Sequence, residues 1–513
     1  MKIEVFSHNF CVTEMSHQER VAVEQYVSRT LVSKKMSYEG GRKHWVPDKE
    51  FFSYDAAGTY IRFHINLANE FLKAMAFHQI PKSQIQVTRF KPVVDERFKV
   101  VLELIKLWDP REHQIKCINH IVEDGVAPHN KIINLQAGGG KTEITKHVML
   151  ATQLRTAGIM KSSYIDRWIP DMEDSFVYKK GELIEIGGGA AMNAIMEMAL
   201  EGETLPKTIF FSTNTLGDYI KAFEADGLSA KYPIAPIDFF HRLGIGVAAL
   251  DEGHQFTHMI MKLFTYTHVH KFITLSGTLD TQDPFKTRIR DIMYPLPQRF
   301  TADYYNKYIV VTAAKYTSKK PNSIRCTGFG GAYSHVKFEE SIMLGKNRDM
   351  LKNYLQLIEY YVNIKYASVR AVGQKMLVFC STIKFCHEVV KYLQRIYPHL
   401  KIGVYVSTEK KAVKDDVLAN ADIIVSTVLS CGTAVDIPNL RVSLLTIALD
   451  SWESNEQAML RTRPLKDWPE VDAEFVYLVN TGIDKHVAYH ERKKEFFKLK
   501  VKAQLTDMAP HSV

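Results

Sequence analysis

Residues 132–142, which read IINLQAGGGKT, carry the side chains best suited to binding a phosphate. An apolar run ends there in three glycines at 138–140, and Lys141 and Thr142 follow directly. Glycine lets backbone N–H groups wrap a phosphate, lysine supplies a cation, and a threonine hydroxyl at a helix start can bind Mg²⁺. The usual phosphate-loop pattern begins with glycine, where this chain has Leu135. The stretch therefore predicts a phosphate-binding loop with an altered first position.

A pair of carboxylates follows a second apolar run, GVAALDEGH at 246–254. The run predicts a buried strand that delivers Asp251, Glu252 and His254 at its end. Asp251 can hold Mg²⁺ through water, because this ion prefers oxygen ligands, and Glu252 can polarise the water that attacks a γ-phosphate. His254 can report the state of the nucleotide to a neighbouring element. A solvated strand end is the alternative, but the upstream phosphate loop favours an ATP-hydrolysing site.

Arginines in the second half of the chain can complete such a site. The stretch QAMLRTR at 457–463 predicts a helix start with Arg461 and Arg463, and either could act as an arginine finger on a γ-phosphate. Residues 426–436 place hydroxyls, a glycine and a carboxylate after a predicted strand. Because 346–480 holds no second glycine–lysine–threonine loop, this half is not expected to bind a nucleotide alone.

The elements that position these residues alternate between short apolar strands and helical stretches. Strands are predicted at 208–211, 246–250, 271–275, 375–380, 401–406, 422–425, 442–448 and 474–479. This rhythm is typical of doubly wound α/β folds with a mainly parallel sheet, in which ligands bind at the carboxyl ends of the strands.

Five segments are expected along the chain. They are a small α+β accessory domain at 1–105, α/β domains at 106–300 and 346–480, a linker at 301–345 that can include a hairpin, and a basic helical tail at 481–513. The tail either touches nucleic acid or presents a solvated face, with its two phenylalanines packed inward.

Local patterns add detail to the first two segments. Residues 59–65 read as a strand and 67–77 as an amphipathic helix. The basic cluster at 34–43, which continues to Trp45, is either a nucleic-acid surface or a solvated loop. Asp109 as N-cap, with Pro110 at the first helical position, predicts a helix that carries Gln114 upstream of the glycine loop.

Bulk properties bound the class of protein. A chain of 513 residues should hold several domains, and 46% hydrophobic with 24% charged residues is ordinary for globular proteins. No apolar run is long enough for a membrane span, and the start lacks a signal-peptide core, so a cytoplasmic protein is expected. Six scattered cysteines without a C-x₂-C pair argue against structural zinc and disulfides. A net charge of +9 mildly favours a polyanionic partner.

The ordered set of motifs resembles superfamily 2 helicases and translocases over roughly residues 105–480. The glutamine motif, motifs I, Ia, Ib and II to VI of that family correspond to Gln114, 135–142, 161–168, 212–215, 251–254, 276–278, 381–382, 426–436 and 457–463. Motif VI departs from the family, because Leu460 replaces its glycine and Arg463 comes one position early. Within the superfamily the chain looks most like bacteriophage helicases of the UvsW type, which also begin motif I with leucine.

The resemblance implies two tandem RecA-like domains behind the N-terminal domain, with ATP and Mg²⁺ as ligands. The residues it assigns to nucleotide and metal are Gln114, Gln136, Ala137, Gly138, Gly139, Gly140, Lys141, Thr142, Asp251, Glu252, Gly432, Asp436, Gln457, Arg461 and Arg463. Those it assigns to nucleic acid are Lys161, Tyr164, Ser212, Thr213, Asn214, Ser381, Ser426 and Thr427.

The function implied is that of an ATP-dependent DNA helicase or branched-DNA translocase in replication, recombination or repair. Its partner would be single-stranded, forked or branched DNA, and its place the cytoplasm, of the bacterial host if a phage encodes it. An RNA helicase and a nucleic-acid-binding protein with an inactive ATP site are the alternatives. Intact Lys141, Asp251 and Glu252 argue against the inactive site.

Overall fold

The computed structural model describes the chain except residues 40–41, 56, 93, 123–128, 137, 278–282, 302–306, 320–323, 329–330, 432–434, 499 and 511. The chain divides into two compact units, Met1–Tyr304 and Tyr305–Val513. Within the described ranges, none of the helices combines the length and hydropathy that a membrane span requires.

The N-terminal part of the first unit is a small α+β layer. Its elements are β1 (Lys2–Val5), β2 (Asn9–Thr13), α1 (His17–Thr30), β3 (Val32–Glu39), β4 (Arg42–Glu50), β5 (Ser53–Tyr54), β6 (Ile61–His64), α2 (Ala68–Phe77) and β7 (Gln86–Arg89). Five strands form a sheet in the order β5-β6-β2-β1-β7, while β3 and β4 form a separate two-stranded hairpin. The strand and the amphipathic helix expected at 59–65 and 67–77 are confirmed as β6 and α2.

The rest of the first unit is built on a seven-stranded parallel sheet. Its elements are β8 (Glu103–Leu104), α3 (Glu112–Val122), β9 (His129–Asn134), α4 (Lys141–Thr152), β10 (Thr156–Met160), α5 (Ser162–Glu173), β11 (Phe176–Val177), β12 (Leu183–Ile186), α6 (Gly189–Glu201), β13 (Thr208–Ser212), α7 (Thr213–Asp226), α8 (Pro236–Arg242), β14 (Val247–Leu250), α9 (Thr257–Tyr266), β15 (Lys271–Ser276), α10 (Pro284–Met293) and β16 (Arg299–Thr301). The sheet order is β12-β13-β10-β14-β15-β9-β16. The non-sequential neighbours are those of a doubly wound sheet.

Buried polar contacts join the N-terminal sheet to α9, a helix of the larger α/β part of the same unit. Asn9 donates to the carbonyls of Phe264 and Thr267 at 3.2 and 2.8 Å. Ser53 and Thr265 share a hydroxyl hydrogen bond of 2.7 Å. Buried groups of this kind need partners, so the N-terminal layer is held against α9 by specific hydrogen bonds as well as by apolar packing.

The start of α3 differs from the sequence prediction. A helix capped by Asp109 is expected, but α3 begins at Glu112. The Gln114 side-chain oxygen accepts the backbone N–H of Arg111 at 2.8 Å, which is half of a capping box. Gln114, the third residue of the helix, therefore defines the helix start, and Pro110 lies before it.

The second unit is built on another seven-stranded parallel sheet. Its elements are β17 (Ile309–Tyr316), α11 (His335–Ile342), α12 (Arg348–Val362), β18 (Lys375–Cys380), α13 (Ile383–Ile396), β19 (Ile402–Tyr405), α14 (Lys411–Asn420), β20 (Ile423–Thr427), α15 (Val428–Cys431), β21 (Leu440–Leu445), α16 (Trp452–Met459), β22 (Ala473–Asn480), α17 (Asp484–Phe497) and β23 (Ala503–Met508). The order is β19-β20-β18-β21-β22-β17-β23. The α/β fold with two parallel sheets behind a small α+β region is thus confirmed.

Two strands of the second sheet lie where the sequence predicts a linker and a helical tail. β17 falls within 301–345 and pairs along its whole length with β22. β23 falls within 481–513 and adds to the free side of β17 as an edge strand. Most of its side chains are exposed, so it has no apolar run that could reveal a strand. The sheet therefore has two more strands at this end than the predicted domain boundaries of 346–480 allow.

Candidate active site

The glycine loop lies between β9 and α4, where the sequence predicts it. Gly138 and Gly140 have φ of 82° and 87°, values that side-chain-bearing residues rarely adopt. Gly140 is the N-cap residue of α4, so Lys141 and Thr142 occupy its first turn. A helix start that follows a glycine turn directs backbone N–H groups towards an anion. Ala137 lies outside the described residues.

Leu135 is accommodated by a glycine on the other side of the loop. A Cβ at Gly139 would lie 2.6 Å from Leu135 Cγ and 2.8 Å from its Cδ1, so the leucine fills the space that glycine leaves. The Leu135 backbone N–H also donates to the Ser276 carbonyl at 2.9 Å. The altered first position is therefore a packed part of the loop, matched by Gly139.

Two side chains of α3 hydrogen-bond to the backbone of this glycine loop. Gln114 Nε2 and His113 Nε2 each donate to the Gly139 carbonyl at 3.1 Å. Gln114 is buried, and a Cβ at Gly140 would lie 2.0 Å from its Nε2, so the amide packs directly on the loop backbone. Gln114 thus touches the loop itself. The sequence analysis did not predict the contact of His113 with the loop, although its position beside Gln114 could have indicated it.

Lys141 brings the loop together with the carboxylates that follow β14. Its Nζ forms an ion pair with Glu252 Oε1 and lies 3.7 Å from Asp251 Oδ1. Burial alone would lower the pKa of Lys141, but the carboxylates of Glu252 and Asp251 outweigh it and raise the pKa. Burial raises the pKa of Asp251, opposed by the Lys141 charge. The three half-buried side chains form one compact cluster of charge.

The backbone around the two carboxylates is tightly constrained. Glu252 has φ of 51°, in the left-handed region that costs a non-glycine residue about 1–2 kcal/mol. Its N–H donates to Asp251 Oδ1 at 2.9 Å. A Cβ at Gly253 would lie 2.2 Å from Thr274 Cγ2, so only glycine fits there. Strain of this kind persists where surrounding structure imposes it, often at functional sites.

His254 links the carboxylates to the end of β15. Its Nδ1 lies 2.9 Å from Ser276 Oγ and 3.3 Å from Glu252 Oε2. One imidazole therefore contacts both the candidate water-activating carboxylate and the serine of the SGT stretch. The threonine of that stretch, at 278, lies outside the described residues.

The first-unit residues assigned to nucleic acid differ in how accessible they are. Tyr164 is buried and its hydroxyl accepts a 3.3 Å hydrogen bond from Gln255, so it contacts the motif II segment. Ser212 caps α7, and Thr213 is buried. Lys161 is the N-cap residue of α5 and half-buried, and Asn214 is exposed.

The second unit positions its motif residues mainly through backbone contacts. Ser426 Oγ donates to the Tyr405 carbonyl at 2.5 Å, and Thr427 Oγ1 donates to Ser430 Oγ at 2.8 Å. Arg461 Nη1 donates to the Val435 carbonyl at 2.9 Å, which brings the motif V and motif VI segments together. Arg463 bonds to the Leu460 carbonyl.

Three further second-unit residues lie around these segments. Gln457 lies in the last turn of α16, so the prediction that 457–463 starts a helix is wrong: the helix ends at Met459, and both arginines follow it. Arg461 Nε donates to the Gln457 carbonyl at 3.3 Å. Asp436 is exposed. Gly432 lies outside the described residues.

A buried carboxylate that no sequence pattern signals supports motif IV. Glu339 of α11 accepts the backbone N–H groups of Ser381 and Thr382, both at 2.7 Å. Burial raises the pKa of Glu339 to about 7, although these N–H groups lower it. The Ser381 N–H is therefore engaged inside the protein. The contact joins residues far apart in the chain, which is why local patterns do not reveal it.

Solved structures align with this chain, whereas no protein-family model and no curated protein matches the sequence. A fragment of a putative HsdR subunit of a type I restriction enzyme from Vibrio vulnificus aligns with a TM-score of 0.50 and 12% identity, over 96% of this chain and 97% of that chain. S. cerevisiae Dbp5, bound to RNA and ADP BeF3, has a TM-score of 0.48 and 12% identity, over 78% and 90%. Mss116p, bound to ssRNA and AMP-PNP, has a TM-score of 0.48 and 15% identity, over 78% and 75%. At such identity the first likeness shows a shared fold alone, that of tandem RecA-like domains.

Proposed function

We propose that the chain is a nucleic-acid-stimulated ATPase of superfamily 2 that drives movement along DNA or remodelling of it. The observation that carries this proposal is the meeting of Lys141, at the start of α4, with Asp251 and Glu252, at the end of β14. A phosphate-binding cation beside a metal-binding carboxylate and a water-activating carboxylate is what ATP hydrolysis requires. A decayed site would have no reason to keep all three.

Binding of ATP would redistribute the charges of this cluster. The Lys141 ammonium is paired with Glu252, so a phosphate oxygen that binds it must take over that contact. Release of the lysine leaves Glu252 as a carboxylate able to accept a proton from the attacking water. His254, at 3.3 Å from Glu252 Oε2, would transmit this change to Ser276.

The donor set at the loop fits Mg²⁺. Thr142 places a hydroxyl in the first turn of α4, and Asp251 supplies a carboxylate, both hard oxygen ligands. Burial raises the pKa of Asp251. A cation bound beside this carboxyl would lower its pKa again and so favour the charged form. Thr142 and Asp251 would hold the ion, whose charge would neutralise the phosphate oxygens.

The remaining nucleotide contacts follow from the motif assignments. Gln136, the glycines and Gln114 would form the nucleotide cradle, with Ala137 in the loop itself. In the second unit we assign Gln457, Gly432 and Asp436 to the nucleotide and Arg461 or Arg463 to the arginine finger. Arg461 is favoured because its position matches the first arginine of the family pattern and its Nη1 is held at Val435.

Nucleic acid would be gripped by both units and by the N-terminal hairpin. Lys161 and Asn214 in the first unit, and Ser381, Ser426 and Thr427 in the second, are the candidate backbone contacts. The hairpin of β3 and β4 pairs Met36 with Trp45, which are 45% and 64% exposed. Exposed aromatic and basic side chains on one hairpin suit stacking on bases and attraction to phosphates.

We propose branched or forked DNA, rather than RNA, as the substrate, as expected for a UvsW-type motor working in the bacterial cytoplasm. The support is the resemblance of the motif set, including leucine at the first position of motif I. Grip through phosphates would make binding salt-dependent and largely independent of sequence.

The test is ATP hydrolysis by the purified chain against single-stranded, forked, Holliday-junction and RNA ligands, with Lys141→Ala as matched control. Stimulation by forked or branched DNA that is absent in Lys141→Ala is expected. Stimulation by RNA alone would select the RNA helicase instead. Absence of stimulation by every ligand, or unchanged hydrolysis in Lys141→Ala, would overturn the proposal.

A second assay separates strand separation from remodelling. Strand displacement on a forked duplex is measured beside regression of the same fork. A helicase displaces the strand, whereas a branch-remodelling translocase regresses the fork without releasing single strands.

A further inference from the structure

The C-terminal segment packs on the helix that leads to the motif VI arginines. Phe496, at the end of α17, stacks on Trp452 of α16 with ring centroids 5.5 Å apart and an interplanar angle of 26°. Lys500 follows, and its Nζ lies 2.7 Å from Glu456 Oε1 and 4.4 Å from the Phe496 ring centroid. The tail thus contacts α16 through an aromatic pair and an ion pair.

The ion pair is buried on one side only. The Glu456 side chain is 1% exposed, whereas that of Lys500 is 22% exposed. A carboxylate that leaves water is stable only with a counter-charge and hydrogen bonds, while a lysine can extend its ammonium towards solvent. The carboxylate therefore depends on the lysine more than the lysine depends on the carboxylate.

Glu456 directly precedes the motif VI segment. Gln457 is the next residue, and its carbonyl accepts a 3.3 Å hydrogen bond from Arg461 Nε. The same guanidinium reaches the Val435 carbonyl at 2.9 Å. The direction of α16 at Glu456 therefore determines where the Arg461 guanidinium lies.

We propose that Lys500 is a positioning residue for motif VI, which holds α16 in place by neutralising the buried Glu456 carboxylate. The inference rests on the proposed function for its activity readout, and it gives the basic tail a role within the protein. The tail's other lysines need not share it: Lys498 is 70% exposed and lies 4.0 Å from the exposed Glu495.

The experiment compares Lys500→Met, which keeps the aliphatic stem, with Lys498→Met as matched control and with the double variant Lys500→Met/Glu456→Gln. Two readouts are taken on the full chain: amide hydrogen exchange of residues 452–463, and kcat and KM for ATP in nucleic-acid-stimulated hydrolysis. The exchange readout needs no activity, so it tests the ion pair even if the chain proves not to be an ATPase.

Lys500→Met is expected to speed exchange and, because displacement of Arg461 would weaken a contact made to the γ-phosphate in the transition state, to lower kcat by about tenfold or more with little change in KM. Lys498→Met should match the parent chain. The double variant should recover both readouts, since the buried carboxylate that Lys500 neutralises is removed as well. Glu456→Gln alone should be milder than Lys500→Met.

Two outcomes would overturn the proposal: Lys500→Met indistinguishable from Lys498→Met in exchange, or a double variant as damaged as Lys500→Met. If Lys500→Met does not fold but the double variant does, the result supports the pair. The first outcome would contradict the proposal even if hydrolysis were lost, because the helix would then be in place without the lysine.

Discussion

Gly253 is the residue of motif II whose replacement the structure constrains most sharply. A Cβ there would lie 2.2 Å from Thr274 Cγ2 and 2.9 Å from Leu250 Cδ2. Thr274 cannot easily turn away, because its hydroxyl is 2.7 Å from the Tyr294 hydroxyl in the buried interior. Gly253→Ala therefore overpacks the space between β14 and β15. Overpacking of this kind typically lowers the free energy of unfolding by about 1–3 kcal/mol.

Urea denaturation of Gly253→Ala, Thr274→Ser and the double variant measures this effect. Serine keeps the hydroxyl and removes the methyl that collides, so alanine should cost much less in the Thr274→Ser background, with a coupling of about 1 kcal/mol or more. ATP hydrolysis should fall in Gly253→Ala, because the flanking carboxylates shift, and recover partly in the double variant. Strictly additive losses, or an alanine variant as stable as the parent, would refute the steric reasoning.

Three further predictions concern the loop, motif IV and the hairpin. Gly139→Ala should weaken binding of a fluorescent ATP analogue by about tenfold or more by colliding with Leu135, and adding Leu135→Ala in a double variant should restore part of the affinity; equal binding by the parent chain, Gly139→Ala and the double variant would contradict this. Because burial raises the pKa of Glu339 from 4.5 to about 7, the contribution of this carboxyl to the free energy of unfolding should fall as pH rises between these values, so the free energy of unfolding of the parent chain minus that of Glu339→Gln should fall across this range; a difference that does not change with pH would contradict the titration of Glu339. Trp45→Ala should weaken binding to forked DNA in a fluorescence anisotropy assay while basal ATP hydrolysis is kept, and unchanged affinity would show that the hairpin does not contact the ligand.

Much of the fold is predictable because buried parallel strands are continuous apolar runs. The runs at 208–211 and 375–380 correspond to β13 and β18 within a residue at each end. β23 escapes prediction because it is an edge strand with mostly exposed side chains, and backbone pairing with β17 gives it no apolar pattern. Strand pairing at the edge of a sheet leaves little trace in local sequence.

The chemistry of the candidate site is predictable where a few adjacent residues suffice. The glycine loop and the Asp251–Glu252 pair each combine a strand end with the required groups, and the structure brings Lys141 to both carboxylates. Contacts between distant segments are different. Neither the Glu339 carboxylate at motif IV nor the Thr274 methyl beside Gly253 belongs to a local pattern, because each contacts a segment that is distant in the sequence.

We propose that Glu252 activates the water that hydrolyses ATP held by Lys141. Single-turnover ATP hydrolysis and ATP binding are measured together in the parent chain and in Glu252→Gln, with forked DNA present. Removal of a positioned general base typically costs about 10²- to 10⁴-fold, so hydrolysis should fall by that factor while ATP affinity stays within a few fold. Hydrolysis at the parent rate in a Glu252→Gln chain that still binds ATP would contradict this role of Glu252.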